Sequence, residues 1–302
     1  LNPHRPTMRG VFEKSGYFQR AEAQNIAYDK VPEIVISYMD KINEKLGTNY
    51  SLFNYVGADD ATDIIVAMGS GTDTIQQTVE ELNKEGRKVG LVKVHLYRPF
   101  STKHLLEVIP KTVERIAVLD RTKEKGSAGE PLYLDILEAF SDSERNPKII
   151  AGRYGLGQKD TRPAHFKSVF DNLAKDKPKN HFTVGINDDV THTSLEVDES
   201  FVISDGKTTR CIFWGNGGDG TVGANKSAIK IIGDNTDMFA QGYFDYDAKK
   251  SNGLTMSHLR FSPNPIHAAY FIDEADFVSC SPQAYVRQYD LVKNLKEGGI
   301  FL

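Results

Sequence analysis

The chain has 302 residues, with 37 Lys+Arg against 41 Asp+Glu for a net charge of −4, and 39% hydrophobic and 26% charged residues. These values fit a soluble globular protein of about two domains, leave no apolar run able to cross a bilayer, and lack the Lys/Arg block of a nucleic-acid footprint. Two cysteines, Cys211 and Cys280, are too few for a four-thiolate iron–sulfur cluster or an all-Cys zinc site, and such sparse use points to a reducing cytoplasm.

Residues 1–50 read as a lead-in, basic and turn-rich at first. A helix follows in which Ile34, Tyr38, Ile42 and Leu46 recur at spacing four up to Gly47. From 51 to 185 the pattern is β-α-β. A strand at 63–68, the turn Gly69-Ser70-Gly71 and a helix at 72–85 lead to strands at 89–94, 116–119 and 148–151, with helices at 132–140 and, after Thr161-Arg162-Pro163, up to 173. The charged, Pro-containing break at 175–180 ends this unit, and 186–205 reads as a connector. A second series occupies 206–302. It has a strand at 210–214, a glycine-rich turn at 216–220, a helix at 222–232 closed by Gly233, strand character at 238–246, 254–261 and 277–279, and a helix at 282–295. Strands separated by helices predict the α/β class, as two consecutive parallel-sheet α/β domains. The opening Leu1-Asn2-Pro3, and a strand just begun at 298–302, give the expectation of a piece of something larger, its second domain incomplete at the C-terminal end.

Gly69-Ser70-Gly71-Thr72-Asp73-Thr74 lies where a dinucleotide fold holds its pyrophosphate. A third glycine is absent, and the next strand ends Val94-His95-Leu96-Tyr97-Arg98 without an acid for the ribose, so a plain βα turn is preferred to NAD binding. The stronger signal is the run from Gly215 to Lys226. Its glycines let backbone N–H groups approach a ligand without Cβ obstruction, and the helix start that follows favours anions, which predicts a phosphate cradle. Lys226, one turn into the helix, either adds a point charge or is simply solvated. Gly218-Asp219-Gly220 invites a thiamine diphosphate reading, but the window for that motif's Asn, 245–248, holds none; the nearest is Asn252.

Lys249-Lys250 and the run Ser257-His258-Leu259-Arg260 are either brought near the turn by the sheet, or form a charged hairpin beside a buried, hydrogen-bonded His258. His95, His104, His165, His181, His192 and His267 show no metal-ligand spacing, and neither Gly-x-Ser-x-Gly nor His-Glu-x-x-His occurs. Asp188 and Asp189 are adjacent and point apart on a strand, so the run from Gly185 to His192 reads as an ordered connector. No catalytic or metal-ligating residue is assigned.

Gly152-Arg153-Tyr154-Gly155-Leu156, the connector from Gly185 to Thr193, the run Phe213-Trp214-Gly215 through Lys226, and Gly253-Leu254-Thr255 through Phe261 together resemble the pyruvate:ferredoxin (flavodoxin) oxidoreductase family. The resemblance covers essentially the whole chain. It implies the tail of a first thiamine-binding domain, a transketolase C-terminal-like domain and most of the family's gamma domain. It further implies oxidative decarboxylation of a 2-oxoacid, most simply pyruvate, with acyl transfer to coenzyme A. Thiamine diphosphate, magnesium and iron–sulfur clusters would then belong to the full enzyme and not to this chain. The implied partners are the remaining domains, ferredoxin or flavodoxin, and a second copy in a homodimer; no nucleic acid or membrane is implied. Carried over residue by residue, Gly218, Asp219, Gly220, Thr221 and Val222 match the segment that contacts coenzyme A, and Lys249-Lys250 match a lysine meeting its phosphates. The family often has Gly-Ser-Asp or Gly-Ala-Asp where this chain has Gly217-Gly218-Asp219. Two alternatives stand beside this reading: a noncatalytic assembly module of a thiamine enzyme, the role expected for 51–185, and a free-standing nucleotide-binding α/β protein.

Overall fold

The computed structural model describes residues 14–247 and 253–302. Three helices lead in: α1 (Lys14–Ala23), α2 (Asn25–Tyr28) and α3 (Val31–Leu46), the last closed by Gly47 at φ +65°. Only one side of α3 packs, through Val35, Ile36 and Met39. The spacing-four run Ile34, Tyr38, Ile42 and Leu46 is 43–71% exposed. Both rows satisfy helical spacing, and contact with the sheet layer decides between them.

The first sheet is built from β1 (Phe53–Gly57), β2 (Asp63–Met68), β3 (Val89–Val94), β4 (Arg115–Asp120), β5 (Lys148–Arg153) and β6 (Phe182–Thr183), in the order β1-β3-β2-β4-β5-β6. All neighbours are parallel except β1, which runs antiparallel on β3. Alternate strand residues face opposite layers. Ile64, Val66, Ile116 and Val118 pack with α5 (Thr102–Val108) and α6 (Pro131–Ser141), while Ile65, Ala67, Ala117 and Leu119 pack with α4 (Gly71–Lys84) and α7 (Pro163–Leu173). Burial on both faces is why these strands read as near-continuous apolar runs.

The second sheet has the order β11-β10-β7-β9-β8, from β7 (Thr209–Asn216), β8 (Phe239–Tyr246), β9 (Leu254–Ser262), β10 (Ala275–Cys280) and β11 (Leu295–Phe301). Strands β7, β10 and β11 are mutually parallel. The connection through α8 (Thr221–Asn235) skips one place to β8, and β9 returns antiparallel to fill the gap. The α/β class therefore holds with two mixed sheets, in which β1 and β9 are the antiparallel strands.

Two expected elements differ. α8 runs through Gly233 and ends at Asn235, where Thr236 turns back to bond the Ile232 carbonyl with its N–H and hydroxyl. The helix expected at 282–295 is a short 3₁₀ turn, Gln283–Arg287, followed by turns and β11. Of that stretch only Tyr285 and Leu291 are buried, too few for a helical face.

Between the sheets, Asp188 accepts the N–H groups of Val190, Thr191 and Thr193 and the hydroxyls of both threonines. These bonds, the Thr191 hydroxyl foremost, hold its carboxyl well below the usual range. A carboxylate so occupied is a loop clamp, in line with an ordered connector. Arg162 at the start of α7 reaches Asp273 of the second unit at 2.6 Å and pairs with Glu199 of the connector, and the Phe271 N–H donates to Asp160 at 3.2 Å.

His258 lies on the β9 face that packs away from α8. It is 2% exposed, accepts the Ile272 N–H on Nδ1 at 3.1 Å and stacks on Phe271. Burial, with Arg260 beside it, pushes its pKa down to about 3; burial and Arg162 push His165 to about 4. Both rings are neutral in the fold, and unfolding returns them to about 6.5. The unfolded chain thus binds more protons between those values, so their contribution is complete above about pH 6.5 and is lost as pH falls through the window. The urea midpoint of this chain is expected to fall steadily from about pH 7 to about pH 4.5, and less steeply in His258→Gln. An equal slope in the variant would contradict a neutral buried His258.

Candidate functional site

At its carboxyl edge the second sheet changes direction. From β7 the chain crosses one way to β8 and β9, and β10 lies on the other side of β7. Such a switch point is where open α/β sheets hold ligands. The turn after β7 and the segment after β10 meet there: the Ser281 N–H donates to the Trp214 carbonyl at 3.0 Å, and the Ser281 and Thr221 hydroxyls are 3.2 Å apart.

The turn is shaped by its own residues. A Cβ on Gly215 would lie 2.7 Å from Thr221 Cβ, so only glycine lets the first turn of α8 settle against β7. Gly218 and Gly220 have φ of +96° and +87°. An added Cβ at Gly218, Gly220 or Gly223 meets nothing within 4 Å, which leaves the approach open. The Asp219 carboxylate accepts the Asn216 N–H at 2.7 Å and the Thr221 N–H at 2.8 Å. Burial pushes this carboxyl up, but those two bonds together with the Thr221 hydroxyl and its own backbone N–H outweigh it and hold it below the usual range. Asp219 is therefore the brace of the turn, tying its start at Asn216 to Thr221, the first residue of α8. Among the described residues, the N–H groups of Gly218, Gly220, Val222 and Gly223 have no partner, and they are what the turn offers an anion.

The expected site residues are thus brought together for the segment from Gly218 to Val222. Lys249 and Lys250 lie outside the described residues. Of the described residues on either side of them, Gly253 accepts the Gly217 N–H of the turn at 2.8 Å, and the Asp247 N–H donates to the carbonyl of Leu254 in β9 at 3.0 Å. Lys226 is drawn aside, its Nζ 5.6 Å from the Phe244 ring centre. His258 faces away from α8. Beneath α8, Asn225 Nδ2, Thr255 Oγ1 and Ser257 Oγ are buried without partners among the described residues.

Sequence reasoning gives Ser281, Tyr285 and Tyr289 no place at this edge, because it predicts a helix over 282–295. The available signal was two tyrosines four apart directly after a strand.

In the first sheet the Gly69-Ser70-Gly71 turn is filled from within. A Cβ on Gly71 would lie 2.5 Å from Tyr154 Oη, and Arg121 bonds Ser70 Oγ at 3.3 Å and the Gly155 carbonyl at 2.9 Å. That packing favours the structural reading of this turn. No group of three or more His, Cys, Asp or Glu able to hold a metal occurs among the described residues. No helix among them is long and apolar enough to cross a membrane.

The fold and this edge define a two-sheet α/β protein with an open, glycine-rich turn at the switch point of its second sheet. Residues 61–166 match the family model described as pyruvate:ferredoxin oxidoreductase core domain II, and 210–302 that of pyruvate ferredoxin/flavodoxin oxidoreductase. Across its full length the chain is 59% identical to a pyruvate-flavodoxin oxidoreductase of Enterobacter agglomerans and 54% identical to a pyruvate:ferredoxin oxidoreductase of Moorella thermoacetica, covering 26% of each. It is 50% identical to a mitochondrial pyruvate dehydrogenase [NADP(+)] of Euglena gracilis, of which it covers 17%. The chain belongs to the pyruvate:ferredoxin/flavodoxin oxidoreductase family and spans about a quarter of the length of the curated relatives it matches first.

Proposed function

We propose that this chain is the coenzyme A-contacting part of a pyruvate:ferredoxin or flavodoxin oxidoreductase, in which pyruvate is decarboxylated oxidatively and its acetyl group passes to coenzyme A. The observation that carries the reading is the open turn from Gly218 to Val222 at the switch point of the sheet, inside the segment that matches the family. Its N–H groups would take the cofactor's diphosphate, and Lys249-Lys250 would add charge. A chain of net charge −4 attracts a polyanion only through such local donors.

In this reading the residues here bind and orient. Asp219 fixes the turn, Thr221 and Gly215 seat α8, and the first sheet serves assembly. Thiamine diphosphate, magnesium and iron–sulfur clusters supply decarboxylation and electron transfer when bound elsewhere in the polypeptide; two cysteines are too few for a four-thiolate cluster here, and positions 245–248 hold no Asn for the thiamine motif. The same reading makes the protein cytoplasmic and dimeric, with ferredoxin or flavodoxin as acceptor.

The test is the full-length polypeptide containing this chain. Acetyl-coenzyme A should form with reduction of ferredoxin, flavodoxin or a viologen dye only when pyruvate and coenzyme A are both present, and residues 1–302 alone should be inactive. A full-length enzyme that forms no acetyl-coenzyme A would overturn the reading.

A further inference from the structure

The switch point has a second wall, made of aromatic rings. Gly215 faces α8, so Trp214 beside it faces the other side of the sheet, where it packs with Ile212, Met256 and Val278. The chain leaving β10 is held to β7 through Ser281, makes one 3₁₀ turn and lays Tyr289 over Trp214, with ring centres 5.5 Å apart and planes inclined by 34°. Tyr285 meets Tyr289 edge-on at 5.0 Å, and the Tyr289 N–H donates to the Tyr285 carbonyl.

Tyr285 is 9% exposed, whereas Tyr289 is 41% exposed. Burial, Tyr289 and the charge of Asp219 all push the Tyr285 phenol up, which puts this cluster within electrostatic reach of the turn's brace. One tyrosine is thus held by two aromatic neighbours while part of its ring stays open, one strand-end from unspent backbone donors.

We propose that Tyr289, backed by Trp214 and Tyr285, is the stacking platform for the adenine of coenzyme A, and so a specificity-determining residue for the nucleotide half of that substrate. This rests on the reading that the turn from Gly218 to Val222 holds the cofactor's phosphates. A ring already ordered by its neighbours loses little freedom on binding, and a purine offers the flat face that such a ring accepts. The phosphates are then gripped on the α8 side of the edge and the base on the Trp214 side, as a ligand lying across a switch point requires.

The experiment uses the full-length enzyme. Tyr289→Leu keeps an apolar side chain against Trp214 but removes the π face. It should raise the apparent KM for coenzyme A about tenfold, with kcat and the KM for pyruvate unchanged. Competitive inhibition by adenosine 3′,5′-bisphosphate should weaken in the same proportion, and inhibition by a pantetheine analogue should not change. Tyr289→Phe should restore most of the lost affinity. Where Tyr289→Leu does not accumulate, Tyr289→Met serves the same comparison. Unchanged inhibition by the bisphosphate, or losses shared equally with pyruvate, would overturn the platform. If Gly220→Val still raises the KM for coenzyme A in that case, the turn stands and only the platform fails; if neither variant changes it, the reading of the turn fails as well.

Discussion

Phe182→Ala is expected to lower the unfolding free energy of this chain by about 3 to 5 kcal/mol. Phe182 is fully buried although its strand, β6, is only two residues long and is held by β5 on one side and a single bridge from Thr183 to Ser194 on the other. Its ring fills the space over Gly152, where a Cβ would come within 2.3 Å of two ring atoms and 2.8 Å of Leu119. Removing the ring opens a cavity among Leu119, Phe166 and Phe170 that strands fixed by parallel pairing cannot collapse. The converse change, Gly152→Ala, overpacks the same place and is expected to lose about 1 to 3 kcal/mol. The two sites share one volume, so Gly152→Ala with Phe182→Leu should be less damaging than the sum of the single changes. Urea titrations of wild type, the three single variants Phe182→Ala, Phe182→Leu and Gly152→Ala, and the double variant measure this; a loss below about 1 kcal/mol for Phe182→Ala would mean that β6 is not part of the cooperative unit.

The sequence made the central β-α-β units legible because their periods are clean: five successive residues of β2 are buried, and Ile75, Val79 and Leu82 line the inner face of α4. The edges were not legible. β1, α5 and β6 are short, and their burial depends on neighbours far along the chain. At the candidate site the sequence exposed the glycines, since positive φ and open approach leave a compositional trace, but not how the other groups are used. Asp219 reads as a ligand-facing acid until its oxygens are seen on the N–H groups of Asn216 and Thr221. His258 and Arg260 sit on the side of β9 opposite Ser257 and Leu259, and only the pairing of Gly215 with Thr255 fixes which side lies under α8. The second wall, from Ser281 to Tyr289, comes from a segment whose one local trace, Tyr285 and Tyr289 four apart, is also helical spacing, so it reads as a helix until the 3₁₀ turn is seen.

Gly220→Val in the full-length enzyme should raise the apparent KM for coenzyme A by about 10- to 100-fold, because one or two hydrogen bonds to charged phosphate are lost when a side chain enters the open approach. The backbone also resists, since φ of +87° disfavours a β-branched residue. Gly220→Asn separates the two effects: asparagine tolerates that conformation yet still places a Cβ in the approach. If Lys250 meets the cofactor's phosphates as proposed, Lys250→Ala should raise the same KM about tenfold. The most direct test of the central claim is therefore the KM for coenzyme A against the KM for pyruvate in wild type, Gly220→Asn and Lys250→Ala. A rise confined to coenzyme A is the predicted result; unchanged coenzyme A dependence in both variants would contradict the assignment of this turn.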